Sequence, residues 1–329
     1  MDSPGRPLDY PSLRKLFVNI GAFHPDSYSI APLYYKLTGR RGAIVYASDK
    51  SCFVQSKHPH SEDCILIFPE IGLQADYALT ASILPDLVGK QNDIRLARYT
   101  AGDLEKLENK LESSGSDISV SIINEEELDW KYPVRVLGTQ KVATLDGRQF
   151  AKIRNKCRRA GTDIEATSID VMSDLAPFRA TLRFWEGTMI LDRKDTPEMT
   201  QFYEHLFRIL STPIPEVGGL VFFKSARPVG FTIWENIGAG VANLYVNLCD
   251  TTITGLSDFQ LVTTCQRLHE QGIEALNMGG SELPSLDEFK SKYDPIATID
   301  LYSARISQRR KLKPEVAISA ITDGSDYVI

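Results

Sequence analysis

The sequence predicts an α/β protein made of two tandem domains, each a mixed sheet with helices on its faces. A chain of 329 residues is too long for one ordinary core, which favours two domains. Each half of the chain also contains a run of strand, helix, strand, helix and strand with similar spacing, and a hairpin-like pair of strands precedes each run. This repeat indicates a duplicated domain, and chance similarity between two α/β halves is the alternative.

The first half has the alternating and β-branched residues of strands between short turns, and apolar residues at helical spacing between those strands. The segment 74–89, for example, is apolar at Tyr77, Leu79, Ile83, Leu84 and Leu87, which predicts an amphipathic helix. We predict strands at 42–48, 51–57, 64–72, 93–99 and 117–124, and helices at 74–89 and 101–112.

The second half repeats this order. Its strands are predicted at 218–224, 228–237, 241–249, 273–279 and 296–304, and its helices at 257–272 and 285–293. We expect Ser257 to cap the first of these helices and Gly272 to end it. Residues 125–146 are predicted to join the halves, and residues from about 168 to 210 form a helical region with Ser and Thr caps. The predicted domains are 1–130 and 131–305, followed by a basic tail at 306–329.

Composition excludes several classes of protein. The net charge of −6 argues against a chain coated in positive charge for general nucleic-acid binding. Five scattered cysteines without a CxxC pair favour a reduced compartment, and no apolar run approaches the ~18 residues of a membrane span. We therefore expect a soluble, cytoplasmic protein. The Cys and His residues of 52–64 match no standard spacing for zinc, so we predict no metal site.

One helix, at 146–161, is strongly basic. Phe150, Ile153 and Cys157 form an apolar stripe that should face a core. The opposite edge is lined by Arg148, Lys152, Asn155 and Arg159 and could follow a phosphate backbone. Acidic residues are absent from this stretch, although solvated helices usually mix charges. The alternative is a solvated basic face that balances acidic surface elsewhere.

A strand that ends in glycines marks a second feature. Ligands of open α/β sheets bind beyond the carboxyl ends of strands, and Gly279 and Gly280 would let a ligand approach the backbone there. Glu282 follows, and the next helix carries Lys290 and Tyr293. These three side chains could converge on one pocket and supply a carboxylate, a cation and a hydroxyl. The alternative is a strand-to-helix turn whose Glu and Lys pair on the surface.

Further residues near this strand end could line the same pocket. Ser281 lies in the turn, and Asn277 ends the strand. Trp234, Glu235 and Asn243 lie on the neighbouring predicted strands. They could equally be ordinary sheet residues, and for Trp234 we favour packing in the core.

Two long segments resemble one known family. Residues 129–161, "DWKYPVRVLGTQKVATLDGRQFAKIRNKCRRAG", and 272–295, "GIEALNMGGSELPSLDEFKSKYDP", resemble the catalytic domains of lysylphosphatidylglycerol synthases. The second segment ends in the Lys-x-x-Tyr-x-Pro signature of that family. "FVNIGAFHPD" and "LIFPEIG" also resemble it, so the likeness covers most of the chain. Peptidoglycan-bridge aminoacyltransferases are similar in fold and in their Phe-Lys-x-x-Phe/Tyr element.

The resemblance implies two tandem domains of the GCN5-related N-acyltransferase (GNAT) type. It also implies transfer of an aminoacyl group from a charged tRNA, which would serve as co-substrate without a further cofactor. Where the family has a pair of acidic residues, this chain has Ser281-Glu282. The transmembrane helices of lipid-modifying relatives are absent from this sequence. These departures favour a soluble, small-molecule acceptor in a biosynthetic pathway. A lipid headgroup or a sterol is the alternative acceptor.

We assign roles on this hypothesis. Glu282 would bind the aminoacyl ammonium or take the acceptor's proton, Lys290 would stabilise the oxyanion or bind the terminal phosphate, and Tyr293 would protonate the leaving 3′ oxygen. The residues expected to bind tRNA come from the basic helix and from a basic cluster near the C-terminus: Arg148, Lys152, Arg154, Asn155, Lys156, Arg159, Arg309 and Arg310. The alternative for the C-terminal cluster is a solvated tail.

Two other functions compete with this one. An acyl-CoA-dependent N-acyltransferase would need a basic, glycine-rich loop for the pyrophosphate. The corresponding loop at 247–260 has one glycine, no Arg or Lys, and the acids Asp250 and Asp258, and an acidic helix entry is a poor pyrophosphate site. The remaining possibility is a non-catalytic duplicated domain that binds a ligand or partner.

Overall fold

The computed structural model describes residues 6–7, 9–58, 61–91, 93–123, 131–168, 175–191, 197–212 and 214–309. Its strands are β1 (Arg6–Pro7), β2 (Ala43–Ala47), β3 (Cys52–Lys57), β4 (Cys64–Ile67), β5 (Asp93–Tyr99), β6 (Ile118–Ile123), β7 (Val134–Gly138), β8 (Ile164–Ser168), β9 (Val217–Lys224), β10 (Arg227–Gly238), β11 (Val241–Cys249), β12 (Ala275–Asn277), β13 (Ala297–Ile299) and β14 (Tyr302–Gln308). Its α-helices are α1 (Tyr10–Asn19), α2 (Pro32–Thr38), α3 (Ala78–Val88), α4 (Ala101–Ser113), α5 (Thr139–Thr144), α6 (Ala151–Gly161), α7 (Ala176–Leu191), α8 (Pro197–Ile209), α9 (Leu256–Glu270) and α10 (Pro284–Ser291).

The predicted fold class is confirmed, because the strands form two mixed sheets flanked by helices. The first sheet has the order β1-β2-β3-β4-β5-β14-β6, and the second has the order β8-β9-β10-β11-β12-β7-β13. Position by position, the two orders correspond. In both sheets the fourth and fifth strands run parallel, and a helix, α3 or α9, connects them. The equivalence of the two sheets is what a duplicated domain predicts.

Most elements follow the patterns that predicted them. Strands β5 and β11 have the predicted bounds, and β2, β3, β4, β6, β9, β10 and β12 differ from prediction by one to five residues at their ends. Strands β1, β7 and β8 were not predicted. Helix α4 begins with a capping box, in which Thr100 and Asp103 bond each other's backbone N–H groups. Gly272 follows the end of α9 with φ 77°, as predicted. The predicted cap Ser257 is wrong, because α9 begins one residue earlier, after the left-handed Gly255. The Ser and Thr caps predicted for α7 and α8 lie outside the described residues.

The sixth position of each sheet departs from the prediction. Residues 125–146, predicted as a linker, contain β7, which pairs with β12 and β13 of the second sheet. The predicted strand 296–304 is two strands, and the later one, β14, pairs with β5 and β6 of the first sheet. The two halves therefore exchange equivalent strands. The second sheet ends before the predicted boundary at 305, since β14 crosses back to the first domain.

Candidate functional site

Three polar residues of the predicted pocket form a row across the second sheet. Glu235 of β10 lies opposite Asn243 of β11, and Asn243 lies opposite Asn277 of β12. Residues paired in this way point to the same face of a sheet. All three side chains are buried. Buried amides and carboxylates require hydrogen-bond partners, so this row must be covered by polar groups from another part of the chain.

The segment that covers the row comes from the N-terminal half. Ser27 Oγ donates to Asn243 Oδ1 at 2.5 Å, and Asn243 Nδ2 donates to the Ser27 carbonyl oxygen at 3.2 Å. Asn277 Nδ2 donates to Ser27 Oγ at 2.8 Å and to Asp26 Oδ1 at 3.2 Å. The hydroxyl of Tyr28 donates to the backbone oxygen of Leu244. Residues 26–28 therefore lie beside β11 and β12, where the pairing between these parallel strands ends.

Asp26 also binds the first domain. Its Oδ2 accepts a bond from Arg98 Nε at 2.7 Å, and both side chains are fully buried. Burial alone would raise the pKa of Asp26, but the Arg98 guanidinium holds that pKa below its usual value. Arg98 belongs to β5 and Asn277 to β12, which occupy the same position in the two sheets. One carboxylate thus joins equivalent strands of the two domains.

Aromatic rings and backbone geometry hold Arg98 in place. Its guanidinium carbon lies 5.0 Å from the ring centroids of both Tyr28 and Tyr34. Its φ of 65° lies in the left-handed region, which is energetically unfavourable for a residue other than glycine. Sequence reasoning missed Asp26, Ser27 and Arg98, although "FVNIGAFHPD" carried part of the resemblance. The available signal was Arg98 itself, which lies near the end of the predicted strand 93–99, where a buried arginine would need an acidic partner.

The other end of the polar row contains a carboxylate with a shifted pKa. Glu235 accepts hydrogen bonds from the hydroxyls of Tyr10 at 2.9 Å and Tyr245 at 2.7 Å, and from the Leu33 N–H at 3.3 Å. Burial raises the pKa of Glu235 to about 7, although the bonds from Tyr245 and Tyr10 oppose the rise. Glu235 can therefore exchange a proton near neutral pH.

This shift predicts a pH dependence of stability. A folded-state pKa raised from 4.5 to about 7 contributes stability that is complete below pH 4.5 and lost as the pH rises through 7. At about 1.36 kcal/mol per pKa unit, the loss is at most about 3–4 kcal/mol. The uncharged Glu235→Gln variant should lack this component. Urea unfolding between pH 5 and 8 should therefore show the wild type losing stability relative to the variant.

The exposed Glu108 provides a matched control, because the stability of the Glu108→Gln variant should depend on pH as that of the wild type does. Parallel profiles of wild type and Glu235→Gln over this pH range would contradict the shift.

The turn after β12 is built by backbone bonds. The Gly279 N–H donates to Asn277 Oδ1 at 2.8 Å, and Gly279 has φ 67°, a conformation that favours glycine. Lys290 is 5% exposed, and its Nζ donates to the carbonyl oxygens of Gly279, at 3.2 Å, and of Gly280. The Ser281 hydroxyl is buried and has no hydrogen-bond partner among the described residues. Lys290 thus orients the turn that was predicted to contact substrate.

The three predicted catalytic side chains contact different partners. Glu282 is exposed and lies near Tyr203 of α8. Burial raises the pKa of Tyr203, and the negative charge of Glu282 raises it further. Tyr293 is fully buried, and its hydroxyl donates to Asp258 Oδ1 at 2.5 Å. A hydroxyl in this position cannot protonate a leaving group in solvent. We therefore revise the predicted role of Tyr293 to one of positioning.

Trp234 faces away from the polar row. It is 3% exposed and packs in the core on the helix side of the second sheet. A Cβ on Gly218 would lie 2.6 Å from the indole, so the strand beside Trp234 has glycine at this position. The structure agrees with packing in the core.

The basic helix has the orientation predicted for it. Phe150 and Ile153 are buried, whereas Arg148, Lys152 and Arg159 are exposed and form no ion pair with any described residue. Arg154, Asn155 and Lys156 are exposed as well, and Arg154 Nη1 donates to the Gly147 carbonyl oxygen at 2.7 Å. The helix therefore presents a cationic face to solvent.

Asp258 connects this helix to the end of α10, where Lys290 and Tyr293 lie. Its carboxylate, 3% exposed, lies 3.5 Å from Lys156 Nζ of α6 and 2.5 Å from Lys292 Nζ, and accepts the bond from Tyr293. The basic helix and the end of α10 are thus neighbours in the folded protein. Arg309 lies elsewhere, after β14 of the first sheet, and pairs with Glu112 at 3.2 Å. Arg310 is outside the described residues.

The two sheets and their flanking helices have the tandem GNAT-type fold. The chain is similar to L-PGS from Bacillus licheniformis (15% identity, TM-score 0.66, 95% of this chain and 96% of that one). It is also similar to the DUF2156 domain of a putative lysylphosphatidylglycerol synthetase from Agrobacterium fabrum (13% identity, TM-score 0.60, 90% of this chain and 92% of that one). A third similar structure is FemX (8% identity, TM-score 0.62, 92% of this chain and 97% of that one). The resemblance inferred from the sequence is thereby confirmed at the level of fold. No family model and no curated protein sequence matches the chain.

Within the described residues, no helix combines the length and the apolar character needed to cross a membrane.

Proposed function

We propose that the protein is an aminoacyltransferase that moves an aminoacyl group from a charged tRNA to a soluble, small-molecule acceptor. The observation that carries this proposal is the contact of Asp258 with both the basic helix and the Lys292–Tyr293 end of α10. A phosphate backbone that follows α6 would bring its 3′ end towards the Gly279–Glu282 turn. The fold shared with L-PGS supports the same class of reaction.

The start of α9 supports tRNA over acyl-CoA as donor. A pyrophosphate needs open N–H groups and positive potential at a helix N-terminus. Here the first turn of α9 contains the buried carboxylate of Asp258, which already binds two lysines, and the preceding loop contains the buried Asp250. The carboxylate of Asp258 therefore already occupies the position, and already binds the lysines, that a pyrophosphate would need. An acyl-CoA donor bound in another way is the second candidate function.

The chemistry would require few groups, because an aminoacyl ester is already activated. The nucleophilic atom of the acceptor attacks the ester carbonyl and gives up its proton. The tetrahedral oxyanion then collapses, the bond from the carbonyl carbon to the tRNA 3′ oxygen breaks, and that oxygen takes up the proton. We assign the aminoacyl ammonium to Glu282, whose carboxylate is exposed beside the turn. Lys290 would place positive charge near the oxyanion and orient the backbone of Gly279 and Gly280. Asn277, Asn243 and Glu235 would support this site from below.

Turnover with charged tRNA tests the proposal directly. The full chain is incubated with a set of radiolabelled aminoacyl-tRNAs, and deacylation is scored with and without candidate amines, hydroxylated small molecules, phosphatidylglycerol and a sterol. Loss of label from one tRNA, stimulated by one acceptor, is the expected result. Hydrolysis of acetyl-CoA without turnover of any charged tRNA would transfer the proposal to the second candidate, and stimulation by the lipid or sterol would change the acceptor class.

The basic helix has its own test. The variant with Arg148→Ala, Lys152→Ala and Arg159→Ala should bind tRNA with a weaker dependence on salt. Each phosphate contact contributes roughly 0.7 to 0.9 to the slope of log K against log salt, so the slope should fall by about 2 to 3. Filter binding of tRNA between about 50 and 200 mM salt measures this slope.

A matched control replaces three exposed lysines of the first domain, Lys57, Lys90 and Lys106, by Ala. This change removes the same charge and should leave the slope near the wild-type value. An equal fall in both variants would indicate that net charge, and not the basic helix, determines binding.

A further inference from the structure

A groove beside α1 lies on the same side of the second sheet as Glu235 but outside the site described above. It has a volume of about 390 Å³ and is lined by one face of α1 and by Pro215 and Glu216, which precede β9. A smaller groove of about 130 Å³ shares Arg14 and Val18 with it. Ligand sites in proteins begin at about 300 Å³, so the two together have the size of a small-molecule site.

Arg14 stands where the two grooves meet. Its Nε lies 2.7 Å from Glu216 Oε1, and its side chain is 29% exposed. The two Nη atoms donate to no other residue that the structure describes, so one edge of the guanidinium is held and the other remains available. A guanidinium oriented in this way matches the geometry of a carboxylate or phosphate.

Neighbouring groups favour a single negative charge. Lys15 and Asn19 lie on the same face of α1 and line the larger groove. With Arg14, Lys15 and Glu216 counted, the lining carries one net positive charge. Tyr10 closes the base of the groove, and its hydroxyl bonds Glu235 at 2.9 Å and Glu216 at 3.4 Å. The base is thus already paired, which leaves the cationic edge to bind a ligand.

The rest of the lining is apolar. Pro11, Val18 and Pro215 line the larger groove, and Val18 is 70% exposed. Phe17, Ile30, Pro32 and Ile237 line the smaller groove. An exposed apolar surface that continues from a cationic centre suits a molecule with an anionic head and an apolar tail.

We propose that this groove binds a small anionic amphiphile, whose phosphate or carboxylate is held by Arg14 and Lys15 and whose apolar part lies along Val18 and the smaller groove. Such a head group could belong to a free molecule or to a lipid. The site does not depend on the proposed transferase function, since its binding can be measured without tRNA.

Calorimetric titration with hexyl phosphate tests the site. The wild type should bind hexyl phosphate, and inorganic phosphate should bind about tenfold more weakly, because it lacks the apolar part. Arg14→Gln should weaken the binding of hexyl phosphate by about tenfold or more. Arg179→Gln is the matched control, because Arg179 is also a helix arginine with a carboxylate partner, Glu204 at 3.5 Å, and it does not line the groove. Its affinity for hexyl phosphate should equal that of the wild type.

Vesicle sedimentation distinguishes the two sources of the head group. Arg14-dependent binding to phosphatidylglycerol vesicles would identify a lipid, whereas binding of hexyl phosphate without vesicle binding would identify a free molecule. The proposal is overturned if hexyl phosphate does not bind, if Arg14→Gln binds it as the wild type does, or if inorganic phosphate binds equally well. Equal binding to phosphatidylcholine vesicles would also overturn it, because adsorption would then not depend on anion recognition.

Discussion

Replacing Asp26 by Ala is expected to lower the free energy of unfolding by about 3–5 kcal/mol, because it leaves the Arg98 guanidinium buried without its counterion. Both side chains of this pair are fully buried, and Asp26 also accepts a bond from Asn277 of the other domain. The loss should therefore affect both sheets. Urea unfolding of the full chain, followed by circular dichroism, measures the change.

Two further variants make this result specific. Asp76→Ala removes a carboxylate that pairs with Lys110 at 2.9 Å on the surface, where 63% of the Asp76 side chain is exposed, and it should cost less than about 1 kcal/mol. The double variant Asp26→Leu with Arg98→Met removes both charges and should recover part of the lost stability. If Asp26→Ala and Asp76→Ala are equally stable, the buried pair does not join the domains.

Lys290→Ala is expected to reduce turnover by about 100-fold or more, the effect of removing one electrostatic group from an acyl-transfer site. The substitution should also affect folding, because the Lys290 ammonium bonds the Gly279 and Gly280 carbonyl oxygens in a buried position. Leaving these acceptors without a donor should also destabilise the protein by about 1–3 kcal/mol. Both quantities are measured on the same preparation, with activity assayed well below the melting temperature.

Lys141→Ala is the matched control, since Lys141 pairs with Asp294 on the surface of the same domain and its side chain is 38% exposed. It should retain both activity and stability. Full turnover by Lys290→Ala would remove Lys290 from the reaction and would leave it a purely structural role.

Much of the site could be predicted because its residues lie near strand ends. Strand β11 has the predicted bounds, and the predicted strand 273–279 contains β12, so Asn243 and Asn277 were already on neighbouring strands. The amphipathic pattern of 146–161 likewise predicted which face of the basic helix is buried. Both inferences depend on the local periodicity of side chains, which a sequence displays directly.

Contacts between distant segments could not be predicted in the same way. Ser27 and Asn243 are 216 residues apart, and no local pattern shows that residues 26–28 cover the polar row of the second sheet. Tyr293 was predicted to face a ligand because it follows Lys290 by three residues on the predicted helix after the strand end. Only its contact with Asp258 shows that its hydroxyl is buried.

The amino-acid sequence by itself determined the type and order of most helices and strands, the duplication of the α/β unit and the cationic face of α6, since each follows from short-range patterns of apolar, charged and turn-forming residues. Tertiary structure alone decided that β7 and β14 are exchanged between the sheets and that Asp26 pairs with Arg98 inside the protein. Strand pairing and ion pairing depend on which segments meet after folding, and hydrogen bonds between strands are formed by backbone groups that every residue type except proline shares.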